Sequence, residues 1–364
     1  MDLFAQRIGD PSQLDYCPAE DFVRHAEPGL VEAAASRLHD ASLSQLLSWA
    51  ASAALTVLAM VCLVCKVYSR LTLGTCTSNK DMTGRTVLVT GANAGIGKET
   101  AKELARRNAR VILACRNPEK AAAAAQEIFE ETGRQVAVRK LDLCSFKSIR
   151  EFADDIVRNE ERLDVLINNA GIVPFPDRVE TVDGFEQTLQ TNHLGPFLLT
   201  NMLLGKLKAS APSRIITLSS LLHHFGRIDP VRLDYAEYRV PMQVYSDTKL
   251  ANVLFTKELA RRLLGTGRSV TANVVHPGAV QTDINSTYVG FMNIVMNTLF
   301  YFFGKTPKEG AQTSIYLAVS DEVVKVTGQY FMDCRRALPS KSAEDPVLAK
   351  KLWDISEKLT GISI

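Results

Sequence analysis

Tyr245 and Lys249 stand four residues apart in the stretch Tyr245-Ser246-Asp247-Thr248-Lys249, inside a long amphipathic segment from Gln243 to Leu264. Four residues is just over one helical turn, so the phenol and the ammonium project from the same helix face. A free phenol titrates near pH ~10, too high to exchange protons readily at neutral pH. A neighbouring cation favours the phenolate and pulls that value down, which makes the tyrosine a usable general acid and base. An isolated Y-x-x-x-K is usually just a surface pair on a helix, so the rest of the chain must decide its meaning.

Four further clusters decide it. An apolar run, Thr86–Thr90, leads straight into Thr90-Gly91-Ala92-Asn93-Ala94-Gly95-Ile96-Gly97, with a helical pattern behind it. Glycines at Gly91, Gly95 and Gly97 allow a tight turn and close backbone approach to a pyrophosphate, which then sits at a helix N-terminus. The spacing is G-x-x-x-G-x-G rather than the commoner G-x-G-x-x-G. A second apolar run ends Ala114-Cys115-Arg116, where an Asp or Glu would hold a ribose 2′-hydroxyl and an Arg accommodates a 2′-phosphate, so Arg116 favours NADP(H). Asp142 closes the third run in Leu141-Asp142-Leu143, placed to meet an adenine edge, and Asn169, Ala170 and Gly171 follow the fourth, where small residues admit a cofactor.

These residues need a frame. Strands are expected at Thr86–Thr90, Arg110–Ala114, Gln135–Leu141, Val165–Asn168, Arg214–Leu218, Val270–Val275 and Gln329–Met332. Helices are expected at Lys98–Asn108, Pro118–Thr132, Ser145–Asn159, Gly184–Ala209 and Gln243–Leu264, with a C-terminal one at Asp345–Leu359. Near-continuous apolar strands alternating with helices predict an α/β fold with a Rossmann-like doubly wound parallel sheet in three α/β/α layers.

With these motifs in this order, the chain from about Arg85 to Arg335 resembles the short-chain dehydrogenase/reductases, and more narrowly their membrane-anchored retinol dehydrogenase branch. The resemblance is carried by TGANAGIGKET (Thr90–Thr100), ACRN (Ala114–Asn117), LDVLINNAG (Leu163–Gly171), NHLGPFLL (Asn192–Leu199) and LANVLFTKELARRL (Leu250–Leu263). His276-Pro277-Gly278, TPKEGAQTSIYL (Thr306–Leu317), Tyr330–Cys334 and KLWDISE (Lys351–Glu357) add to it. It implies that Tyr245 is the proton donor or base, that Lys249 lowers its pKa and binds the nicotinamide ribose, that Ser220 polarises the substrate oxygen, and that Asn192 anchors a water. Ser219 competes with Ser220, but the family uses the second serine of such a pair. It also implies cofactor contacts from Asn93, Ile96, Leu143, Pro277, Gly278, Val280 and Thr282. Pro196 departs from relatives that often carry His there, and the stretch between Ser220 and Tyr245, with His223-His224-Phe225, is long; the two histidines read as loop residues rather than ligands.

The remaining chain bounds the setting. Composition, 46% hydrophobic and 23% charged with net charge +2, describes a globular protein and excludes a nucleic-acid binder. The seven cysteines have no disulfide-framework spacing, and no His/Cys/carboxylate cluster has the spacing of a metal site. Residues 1–40 form an acidic extension, with eight Asp/Glu against three Arg. Residues 41–67 read as a single transmembrane anchor, because Ala41 to Cys65 carries no charge and about 20 apolar residues span a bilayer. A buried core helix and a cleaved signal peptide are the weaker alternatives. Lys66 and Arg70 follow the run, which places the body in the cytosol, with the endoplasmic reticulum membrane expected first and a mitochondrial membrane second. A linker (68–84), the nucleotide-binding body (85–335) and a helical tail (336–364) complete the division.

The uncharged stretch 284–304 reads as an apolar lid over the substrate that dips toward the membrane surface, with a second transmembrane helix as the alternative. The expected activity is therefore NADP(H)-dependent interconversion of a lipophilic aldehyde or ketone and its alcohol. By resemblance the substrate is retinal/retinol, with other lipid aldehydes or steroids next. The expected partners are that small molecule, the bilayer and, as the oligomer the reading allows, a second copy in a homodimer. A catalytically silent membrane-bound NADP(H) sensor or scaffold is the reading from a different class.

Overall fold

The computed structural model describes residues 42–173, 178–229, 233, 240–265, 269–280 and 304–363. The chain separates into two units, residues 1–65 and 66–364. Of the first, the described part belongs to helix α1 (Leu43–Leu71), whose stretch Leu43–Val64 has mean hydropathy 2.1 and buries none of its side chains. It is long and apolar enough to cross a bilayer, as the uncharged run predicts.

The second unit is built on an eight-stranded sheet ordered β3-β2-β1-β4-β5-β6-β7-β8. The strands are β1 (Thr86–Thr90), β2 (Arg110–Cys115), β3 (Ala137–Lys140), β4 (Val165–Asn168), β5 (Ser213–Leu218), β6 (Val270–His276), β7 (Tyr330–Met332) and β8 (Arg335–Ala337). Every pairing is parallel except β7 with β8. The order reverses between β1 and β4, which opens a crevice at the carboxyl ends of the strands. Successive residues of β1 face opposite layers. Val87 and Val89 pack with Leu104, Ile128 and Ile315 from helices α2 (Gly95–Arg106), α3 (Pro118–Thr132) and α7 (Pro307–Val319). Leu88 packs with Ile149, Phe197 and Phe255 from α4 (Phe146–Asn159), α5 (Gly195–Ala209) and α6 (Pro241–Leu263). This is the three-layer arrangement predicted, with both sheet faces covered.

Local chemistry explains several boundaries. Asn117 caps α3 by accepting from the Lys120 N–H, Pro118 opens the helix, and Gly133 closes it at φ 66°. The expected helix Gly184–Ala209 is instead broken: one turn at Gln187–Leu189, a π-helical turn at Gln190–Leu194, then α5. Two features account for the break. Pro196 has no N–H to give the Asn192 carbonyl, and the Asn192 side chain is clipped to Ile172, accepting from its N–H at 2.8 Å and donating to its carbonyl at 2.9 Å. Strand β8 was not foreseen; it returns through Asp333 and Cys334, both at positive φ (51° and 56°), as a two-residue hairpin turn requires. Helix α8 (Pro346–Thr360) then lays Trp353 against Phe197 and Phe255, with ring centroids 5.0 and 5.8 Å away, so the C-terminal tail closes the α5/α6 face.

Candidate active site

The crevice at the β1/β4 switch holds a cleft of about 470 Å³. In its middle, at the end of β1, lies the loop between β1 and α2. Asn169 ties it down, its side-chain amide donating to the carbonyls of Thr90 at 2.8 Å and Gly91 at 3.2 Å. Thr90 Oγ1 in turn accepts from the backbone N–H groups of Asn169 and Ala170. A Cβ on Gly97 would come within 2.4 Å of the Asn169 Nδ2 and 2.5 Å of the Gly91 carbonyl oxygen, so no larger residue fits. Gly91 and Gly95 adopt φ of 65° and 56°, which glycine tolerates without strain. Helix α2 has no side-chain cap at its N-terminus, so its first N–H groups remain available to an anion.

The side of the cleft beyond β2 and β3 is lined by Arg116, Asn117, Lys120, Asp142, Leu143 and Cys144. Arg116 is exposed just beyond β2, and Lys120 follows one helical turn later on α3. Asp142 accepts the Cys144 N–H at 2.9 Å, and Cys144 Sγ lies 3.0 Å from Thr191 Oγ1. Burial raises the thiol pKa of Cys144.

Tyr245, Lys249 and Pro277 stand at the far end. Both side chains rise from the first turns of α6, as the four-residue spacing predicts. The Lys249 Nζ lies 5.3 Å from the centre of the Tyr245 ring. Lys249 is buried, and that burial pushes its pKa down to about 8. A Cβ on Gly171 would be 3.1 Å from the Lys249 Nζ and 3.3 Å from the Asn192 Oδ1, so both polar groups crowd one glycine. Asn192 also donates to Thr248 Oγ1 at 3.1 Å, and Thr248 donates to the Tyr245 carbonyl at 2.8 Å. The asparagine thus braces the turn that carries the tyrosine.

Geometry separates the two serines. Ser219 is buried and its hydroxyl donates to the Lys249 carbonyl at 2.8 Å, a bond that spends its hydrogen on the fold. Ser220 is half-buried; its Oγ accepts from the Leu222 N–H at 3.3 Å, which leaves the hydroxyl hydrogen for another acceptor. Ser220 and Asn192 themselves fall outside the cleft lining, as do Gly278 and Val280, whereas Ser219 and Thr191 are part of it. Val280 forms a parallel bridge to Lys305, and Lys305 is ion-paired with Asp333. Thr282, the expected lid 284–304 up to residue 303, and residues 1–40 lie outside the described residues.

All the other expected cofactor residues line the cleft: Gly91, Asn93, Gly95, Ile96, Gly97, Arg116, Asp142, Leu143, Asn169, Ala170, Gly171, Tyr245, Lys249 and Pro277. Lys120 is the addition sequence reasoning missed. Its place in the first turn of the helix after β2 was the available signal, since Cα–Cβ bonds tilt toward the helix N-terminus.

A glycine-floored phosphate loop, an uncapped helix start and a cationic shelf fit a dinucleotide. The model of the short chain dehydrogenase family matches residues 85–290, more than half of the chain. The chain belongs to the short-chain dehydrogenases. Within them it falls in the retinol dehydrogenase branch. It is 49% identical to retinol dehydrogenase 11 of Mus musculus over 300 residues, covering 82% of this chain and 93% of that one. Human retinol dehydrogenase 13 is 49% identical over 296 residues, covering 79% and 88%. Among solved structures, a Mycobacterium paratuberculosis protein superimposes with TM-score 0.66 at 38% identity, covering 80% of this chain and 98% of its own. A short-chain dehydrogenase of Shigella flexneri complexed with NADP gives TM-score 0.56 at 28% identity, covering 71% and 100%. As a short-chain dehydrogenase, the protein is an oxidoreductase that uses a nicotinamide cofactor.

Proposed function

We propose that this short-chain dehydrogenase is an NADP(H)-dependent enzyme that interconverts a retinoid aldehyde and its alcohol. The observation that carries the chemistry is the buried Lys249 ammonium beside the Tyr245 ring, in the same cleft that the glycine loop lines. The bound nicotinamide cofactor would supply the hydride. Tyr245 delivers the proton to the carbonyl oxygen as the carbon is reduced, and takes it back in the oxidative direction. Lys249, desolvated and close by, stabilises the phenolate left behind. Ser220 donates its uncommitted hydrogen to the substrate oxygen. The Asn192 side-chain amide is engaged with Ile172 and Thr248, so a relay water falls to its main-chain carbonyl, which Pro196 leaves without an α-helical donor.

For the cofactor, Arg116 and Lys120 support NADP(H): two cations at one strand end offer the 2′-phosphate a paired counter-charge. For the substrate, retinol dehydrogenases 49% identical over most of their length support a retinoid. Purified protein in detergent should oxidise NADPH, followed at 340 nm, when all-trans-retinal is added. A preference for other lipid aldehydes or for steroids would move the substrate class, and no turnover with any carbonyl would leave a binding protein.

The apolar helix α1 is followed by Lys66 and Arg70, and basic flanks stay on the cytosolic side. On this reading the catalytic unit is cytosolic and residues 1–40 are across the membrane, with the endoplasmic reticulum as the first compartment to test and a mitochondrial membrane as the second. Protease added to sealed microsomes should digest a tag at residue 364 and spare one at residue 1. The reverse pattern would invert the orientation, and digestion of both would mean a second crossing or none.

A further inference from the structure

His223 takes no part in the cofactor cleft, yet it is wired to the candidate serine. The chain leaves β5, passes through Ser219 and Ser220, and enters a 3-10 turn at Leu221–Phe225. Contrary to a loop reading, His223 in that turn is 0% exposed. Its backbone N–H and its ring Nδ1–H both donate to the Ser220 carbonyl, at 3.1 and 2.7 Å. The other ring nitrogen, Nε2, accepts the Ser340 N–H at 2.9 Å. A carbonyl can only accept and a backbone amide can only donate, so these partners fix the neutral tautomer that carries its proton on Nδ1. The ring also packs 5.0 Å from Tyr330 on β7 and 4.2 Å from His224. Ser340 is itself the cap of the turn Lys341–Glu344, accepting from the Ala343 N–H. One imidazole thus joins the serine loop, the sheet and the C-terminal segment.

Volume alone does not explain this residue, because a phenylalanine would fill the space without bringing polar nitrogens into the interior. Burying an imidazole is tolerable only when both nitrogens are paired, and here both are, one of them to the serine's own backbone. Burial also pushes the ring's pKa down to about 4, so it stays neutral at physiological pH. Two hydrogen bonds on the Ser220 carbonyl restrain the backbone from which the Ser220 hydroxyl projects. We propose that His223 is the positioning residue for Ser220, its Nδ1–H holding the Ser220 carbonyl so that the Ser220 hydroxyl faces the substrate oxygen. The inference rests on the reading of Ser220 as the group that polarises a carbonyl.

The test compares wild type, H223F, H223N, S220A and the double variant H223F/S220A, with NADPH and all-trans-retinal, measuring kcat, both KM values and the thermal midpoint. H223F keeps a ring against Tyr330 and removes both side-chain hydrogen bonds, whereas H223N restores an N–H near Nδ1. H223F should lower kcat about tenfold or more with little change in the KM for NADPH, and H223N should recover to within about threefold of wild type. In the S220A background H223F should cost less than about threefold, because the hydroxyl it positions is already gone. An equal loss in both backgrounds, or an H223F enzyme at the wild-type rate, would overturn the proposal. If H223F does not fold, H223A takes its place in both backgrounds: a loss of about tenfold or more that shrinks below about threefold once the Ser220 hydroxyl is gone sustains the proposal, and an equal loss in both backgrounds, or a wild-type rate, overturns it. Wild type inert toward retinal and other carbonyls would remove the reading beneath the inference, while active wild type with indifferent variants would remove the inference alone.

Discussion

Tyr245→Phe should abolish all but about 10⁻²–10⁻⁴ of the turnover, the span expected for loss of a general acid. The change removes one hydroxyl from a half-buried ring at the start of α6 and leaves the helix, the Lys249 contact surface and the phosphate loop in place. Cofactor affinity should therefore stay close to wild type, which NADPH fluorescence titration would report. Retained affinity with lost turnover identifies a group needed only in the transition state. A Tyr245→Phe enzyme within a few-fold of the wild-type rate would assign the proton to another residue.

Arg116→Asp should reverse or erase the cofactor preference. Charge-assisted hydrogen bonds contribute about 1.5–3 kcal/mol each, so losing the guanidinium costs NADPH roughly 10- to 100-fold, and the new carboxylate adds repulsion. NADH lacks the 2′-phosphate and should be little affected, so the NADPH/NADH ratio of kcat/KM should fall on the order of 100-fold. Lys120 stands beside Arg116 on the cleft wall and would retain part of the attraction. For that reason Arg116→Asp combined with Lys120→Ala should fall further. An unchanged ratio in the double variant would place the phosphate elsewhere in the cleft.

The parts of the fold that could be read from sequence are those set by local rules. Strand β4 and helix α3 were read with their observed bounds because an apolar run, an Asn-Pro start and a Gly stop are local signals. The Gly184–Ala209 break escaped because only half of its cause is local: Pro196 is visible in the sequence, but Asn192 reaches Ile172, 20 residues away, and only the folded chain brings them together. β8 escaped because Arg335-Arg336-Ala337 is short and polar, and its turn has no glycine at either positive-φ position.

The site shows the same division. Glycine spacing and the Tyr245/Lys249 interval are local, so the phosphate loop and the dyad were legible. The resemblance favours Ser220 over Ser219; the physical difference between the two, the hydrogen bond from Ser219 to the Lys249 carbonyl, is a contact across 30 residues that the sequence does not display. His223 looked like a loop residue because nothing in His223-His224-Phe225 announces a partner at Ser340, 117 residues on. Sequence could supply the chemistry of these side chains but not their neighbours.

The measurement closest to the central claim follows the hydride itself. Wild-type protein, with Tyr245→Phe as the blank, would be given all-trans-retinal and NADPH carrying deuterium at both C4 positions, and the product analysed by mass spectrometry. The account predicts retinol that has gained one deuterium per NADPH oxidised, with almost none formed by the variant. Retinal left unreduced by the wild type, or retinol formed equally by both proteins, would contradict it.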